Sequence, residues 1–120
     1  MTPTEQEAFI REVYKEIFEA DKVELIGKYF ADDFVEENNY DILTYKDFVA
    51  HVEDISGGPS VSIDLEFIVN VPGQVVVRAI VNETGQIKGA PPMSLLISYW
   101  EINKEGKLSY CKEVEAATAE

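Results

Sequence analysis

Cysteine, histidine and cationic side chains are all scarce in this 120-residue chain, and each scarcity removes a class of function. The one cysteine, Cys111, cannot close an internal disulfide. No second thiol or histidine stands at ligand spacing from Cys111 or from the single His51, so no metal site is expected. Only 10 bases oppose 23 acids, giving a formal net charge of -13. Nucleic acid is bound by cations that displace condensed counterions, so neither phosphate backbones nor anionic membranes are expected partners. There is no long apolar run, and no basic stretch leads into one near the N-terminus; a cytoplasmic location is the expectation.

What is abundant is apolar side chain, at 46% hydrophobic and 11% aromatic, enough to build a core in a chain of single-domain length. The first half reads as three short amphipathic helices. Phe9, Ile10, Val13, Tyr14, Ile17 and Phe18 recur at helical spacing, behind Pro3 and a capped start in which Glu5 follows Thr2 by three residues. Asp21, followed by Glu24, reads as the cap of a second helix with Val23, Leu25, Ile26, Tyr29 and Phe30 as its apolar positions, interrupted by Gly27. Thr44 and Asp47 open a third, through Phe48, Val49, Val52 and Ile55, that stops at Gly57-Gly58-Pro59.

From Val61 the period changes to alternation. Val61, Ile63, Leu65, Phe67 and Val69 face one way and Ser62, Asp64 and Glu66 the other. A turn at Val71-Pro72-Gly73-Gln74 leads to a valine-rich strand over residues 75–81, a third runs over 94–102, and a hairpin at Asn103–Gly106 leads to a last one over 108–114. The tail from Glu115 to Glu120 is expected to fray. Helices followed by strands predict an α+β domain over residues 1–120, with three helices packed in a strongly curved, mostly antiparallel sheet of four to six strands.

This order, with Tyr29-Phe30-Ala31-Asp32-Asp33-Phe34-Val35 at its centre and Gly89-Ala90-Pro91-Pro92 leading on to Gly106-Lys107-Leu108, resembles the SnoaL-like and ketosteroid-isomerase-like branches of the nuclear transport factor 2-like superfamily. The resemblance implies a cone-shaped α+β fold open at one end, often dimeric through the outer face of the sheet. It spans isomerases, dehydratases, cyclases and pure binding proteins, so fold leaves activity open.

Carried over by position, the resemblance puts Tyr14 where steroid isomerases place a phenol that steadies a developing enolate. It puts Asn38 where they carry a general base and Ser98 where they carry a second donor. An amide cannot take a proton at neutral pH, so ketosteroid isomerisation by that route is disfavoured. Glu36 and Glu37 read as solvated strand-edge carboxylates. His51 could act as an acid or base if the third helix turns it inward, although its spacing is offset from Phe48, Val52 and Ile55. Alternation groups Ser98 with Trp100, and Cys111 with Glu113; an inward Glu113 would be desolvated and its pKa raised. Phe18, Tyr29, Phe34, Trp100 and Cys111 complete the expected wall of a pocket for a small apolar ligand, aromatic or polycyclic, with no cofactor required. The competing expectation is a cone plugged by Phe18, Phe34 and Trp100, with Tyr99, Tyr110 and Val76 on an outer surface that pairs two copies of the chain.

Overall fold

Thr2 and Glu5 close a reciprocal capping box, Glu5 N donating to Thr2 Oγ1 at 3.2 Å and Thr2 N to Glu5 Oε1 at 2.8 Å, and helix α1 follows over Pro3–Val13. In this computed structural model, which describes residues 1–39, 41–58, 60–83 and 94–116, the helix does not stop there. It widens into a π-helical segment over Tyr14–Glu19, marked by Ala20 N donating to Lys15 O at 3.0 Å. One uniform stripe is the expectation from sequence; here Tyr14 and Phe18 follow in the wider turn with their rings tilted at 52° and centroids 5.0 Å apart, on the inward side.

The second helix departs further from expectation. Asp21 caps nothing: its backbone is left-handed, at φ 54°, and its carbonyl accepts from Val23 N. A 3-10 turn over Val23–Leu25 leads to a single α turn, α2, over Ile26–Tyr29. Phe30 belongs not to that helix but to strand β1, Phe30–Glu37. A short strand β2, Ile42–Thr44, then precedes α3 over Tyr45–Ile55, whose Thr44–Asp47 capping box forms as read. Pro59 and residues 84–93, which include the Gly89–Pro92 segment, lie outside the described residues.

Strands β3 (Val61–Val71), β4 (Gln74–Glu83), β5 (Ser94–Ile102) and β6 (Leu108–Ala116) complete one six-stranded sheet in the order β2-β1-β6-β5-β4-β3. Every pairing is antiparallel except β1 with β6. Glu115 and Ala116, expected to fray, are part of β6; residues 117–120 lie outside the description.

The register sets the concave wall in rows. Glu36, Cys111, Trp100 and Val75 form one row; Glu113, Ser98, Val77 and Phe67 form the next; Leu96, Ala79 and Leu65 continue it. Helices α1 and α3 cover this wall, and Phe30, Phe34, Phe48 and Trp100 fill the space between, with Phe30 4.7 Å from Phe48 and 4.8 Å from Phe34 by ring centroid.

The long edge strand β3 is covered by polar side chains from the first helix. Gln6, 1% exposed, donates from Nε2 to Asn70 Oδ1 and to Val71 O, both at 2.9 Å, and accepts from Gly73 N at 2.7 Å. Glu19 Oε2 accepts from Ile63 N at 2.5 Å. Gly73, at φ 82°, makes the β3–β4 turn. Among the described residues no helix is long and apolar enough to cross a membrane.

Candidate functional site

At the end of the cone away from the phenylalanine cluster, the packing leaves a cavity of about 210 Å³. Tyr14, Phe18, Trp100 and Glu113 supply its aromatic and polar wall; Ile55, Val61, Ile63, Val81 and Leu96 supply the aliphatic remainder. Apolar cavities of about 150 Å³ hold a benzene ring, so this space suits one ring or a short chain. A larger depression of about 420 Å³ lies over Asp32, Asp33, Tyr45 and Lys107, but its wall is polar and open, with exposed carboxylates and little shelter from water.

Each polar group in the cavity wall is placed by a different element. The π-helical segment brings Tyr14 under the sheet, where its hydroxyl accepts from Trp100 Nε1 at 3.1 Å. Burial pushes the Tyr14 phenol far above its ordinary pKa, and the charge of Cys111 adds to this; the Ser98 hydroxyl and the Trp100 indole act in the opposite direction. An oxygen that accepts from the indole keeps its own O–H to donate. Ser98, 1% exposed and off the cavity wall, sits on the same row as Glu113, directly across the β5–β6 pair.

Glu113 is the acid of the cavity. Its pKa is raised to about 7, first by burial, then by the charges of Glu36 and Glu115. Glu36 is the second inward carboxylate, 7% exposed, and burial raises its pKa as well; a hydrogen bond from Asn38 and the charge of His51 partly offset this. Its solvated reading is thereby corrected. Phe34 and Glu36 point in while Val35 and Glu37 point out, and strand alternation from Phe34 would have revealed it; the irregularity that exposes both Asp32 and Asp33 hides that phase. Glu37 does face solvent, held by the Tyr110 hydroxyl and by Lys112.

The remaining candidates fall in three places. Cys111 is fully buried behind Trp100, its thiol pushed well up by burial. Phe34 and Tyr29 are core residues off the cavity wall, Phe34 beside Trp100 and Tyr29 edge-on to Phe9 at 5.9 Å. Asn38 closes the turn between β1 and β2: its Oδ1 accepts from Asp41 N at 2.9 Å and its Nδ2 reaches Glu36 Oε2 at 3.4 Å. Asn38 therefore meets the site through Glu36. His51 is exposed on α3, outside the cavity, as its offset spacing suggested. The described residues contain no cluster of three or more histidine, cysteine or acidic side chains arranged to hold a metal ion.

No family model matches this sequence, and no curated protein matches it. Solved structures do. A candidate ketosteroid isomerase from Kribbella flavida superposes with a TM-score of 0.71 at 13% identity, covering 94% of this chain and 78% of that one. A SnoaL-like protein of unknown function from Burkholderia thailandensis gives a TM-score of 0.68 at 13% identity, over 92% and 96% of the two chains. An LEH-like epoxide hydrolase from M. tuberculosis gives 0.66 at 11% identity, over 88% and 78%. At such identities the likeness is one of fold.

Proposed function

Because this chain carries the α+β cone fold of the SnoaL-like and ketosteroid-isomerase-like proteins, we propose that it binds a small apolar carbonyl compound in the cone and moves a proton on it. The observation that carries the reading is the pairing, on the wall of one sheltered apolar cavity, of a phenol with a proton to donate and a carboxyl group poised near neutrality. A general acid–base group works best when its pKa lies close to the working pH, since it then both accepts and returns a proton. The Tyr14 hydroxyl would hold the carbonyl oxygen. Ionised Glu113 would take a proton from the carbon next to the carbonyl, the electron pair moving to the oxygen, and would return that proton to the same or a conjugated carbon. No net oxidation occurs and no cofactor takes part. Isomerisation and loss of water from a hydroxy-ketone are both within reach of this pair. Epoxide opening, the activity named for one structural neighbour, would need the acid to protonate the ring oxygen instead.

The test is a library of monocyclic and short-chain ketones, enones and aldehydes. Binding should raise the melting temperature, and Tyr14→Phe and Trp100→Ala should each reduce the shift. Carbonyl compounds that bind should exchange their α-hydrogens for deuterium in heavy water, and Glu113→Gln should abolish the exchange. A library with no stabilising compound would overturn the reading.

A second reading concerns the convex face. Ile97 and Val114 stand directly opposite one another in the β5–β6 pair, 37% and 50% exposed, beside the packed rings of Tyr99 and Tyr110. We propose this face as the contact in a homodimer, whose test is light scattering: a monomer at high concentration would refute it.

A further inference from the structure

We propose that Glu36, tethered by Asn38 and facing the cavity acid across Cys111, forms with Glu113 a coupled two-carboxylate unit that releases its two protons in separate steps. Glu36 is thus a positioning residue, acting on the bound molecule through Glu113. The inference rests on the reading of Glu113 as the acid–base group, and it deepens that reading by saying what holds a proton on Glu113 at neutral pH.

The geometry begins with register. β1 and β6 run parallel with Glu36 paired to Cys111, and Glu113 follows Cys111 by two residues, so both carboxylates project from the concave face on adjacent strands. Diagonal neighbours on one sheet face lie roughly 7 Å apart, close enough for two partly desolvated charges to oppose each other. Glu36 is held there by a chain of contacts: Asp41 N fixes the Asn38 amide at 2.9 Å, and that amide reaches Glu36 Oε2 at 3.4 Å. Glu113, for its part, is faced by the Tyr14 phenol from the helix and by Cys111 and Glu115 on its own strand. The phenol and the thiol are both pushed up by burial and stay neutral near pH 7, and Glu115 is exposed. Glu36 is faced by His51 from α3, whose charge favours ionised Glu36. An ionised Glu36 beside the cavity makes the second ionisation, that of Glu113, the costly one.

Such coupling has a signature that burial alone lacks: removing the carboxylate that ionises first lowers the midpoint of the one that ionises second. Carboxyl carbon NMR on the ligand-free protein, titrated from pH 3 to 9 in the wild type and in two isosteric variants, reads it. In Glu36→Gln the Glu113 midpoint should fall by about one pH unit, leaving only the part that desolvation imposes. In Glu113→Gln the Glu36 midpoint should stay close to its wild-type value, because Glu36 ionises first, beside a Glu113 that still holds its proton. Asn38→Ala, which frees Glu36 to turn away, should lower the Glu113 midpoint by less. A Glu113 midpoint unmoved in Glu36→Gln, or in Asn38→Ala where Glu36→Gln fails to fold, would overturn the proposal. No ligand enters this titration, so its failure leaves the carbonyl reading standing, and an inert ligand library leaves the coupling standing.

Discussion

The two ends of the cone are built from the same strands and treat their interior in opposite ways. At the packed end Phe30, Phe34, Phe48 and Trp100 close on one another in edge, tilted and stacked contacts, each of them buried. At the hollow end Val81, Ile63 and Leu96 face a void with a carboxylic acid in its wall. Trp100 belongs to both, its ring in the cluster and its indole nitrogen on Tyr14. The difference separates the two expectations drawn from sequence, a filled cone and an open one. The aromatic cluster lies toward one end and the cavity toward the other, so on the proposed reading stability and binding would be carried by different residues.

The largest way to break this comparison is to empty the packed end. Phe34→Ala removes a ring with no exposed surface, and about 3–5 kcal/mol of stability should go with it, read from urea denaturation. Leu96→Ala, on the half-buried cavity wall, should cost well under half as much, because the deleted atoms border space already empty. Equal losses would mean that the hollow end is as tightly packed as the other.

A smaller effect follows from the acid. Glu113 has a folded pKa of about 7 against an ordinary value of 4.5, so folding disfavours its charge. Below the ordinary value both folded and unfolded chains hold the proton and Glu113 costs nothing. As pH rises toward 7 the unfolded chain ionises first, and stability falls until the folded pKa is passed. Glu113→Gln should therefore match the wild type near pH 4 and exceed it at pH 8 by roughly 1–3 kcal/mol. Parallel stability curves for the two proteins would show Glu113 to be solvated.

Much of this division can be traced in the residues. Capping boxes at Thr2 and Thr44 and the alternation of β3 to β6 are local signals, because caps and pleats are set by neighbours a few residues apart; in β3 the alternation holds only as far as Phe67, after which an irregularity in the pairing turns Val69 outward. Alternation also paired Ser98 with Trp100 and Cys111 with Glu113, but left open which way each pair faces, which the partners across the sheet decide. What escaped was not local. Phe30 carries a helical spacing but is drawn into β1 by pairing with Leu108, far away in sequence. The π-helical widening after Val13 leaves no composition mark, since Tyr14 and Phe18 satisfy an ordinary helical stripe equally well. Glu36 was misread because its acidic neighbours suggested a solvated strand edge, whereas β6 lies beside it.

Next in size is the contact that joins the two ends. Tyr14→Phe leaves the Trp100 indole N–H buried without its acceptor, a loss of about 1–2 kcal/mol in urea. Ser98→Ala leaves that contact in place and should cost less. If Tyr14→Phe is neutral, the indole finds another acceptor and the phenol is placed by packing alone.

The smallest expected effect concerns the sheet's two edges, which follow the same contrast of short against long. β2 ends the sheet with three residues, too few to template another chain, but β3 ends it with eleven and exposes Ile68, Val69 and Val71 toward its far end. Glu19 answers part of that hazard by accepting from Ile63 N. Glu19→Ala should cost only about 0.5–1.5 kcal/mol, since the freed N–H is partly open to water. Its clearer consequence is an unpaired strand edge, so the variant should self-associate at concentrations where the wild type does not, by light scattering. Glu19→Gln keeps an acceptor oxygen at the same reach and should behave as the wild type. Were Glu19→Ala to stay as dispersed as Glu19→Gln, protection of β3 would rest with Gln6 and the body of the helix rather than with this carboxylate.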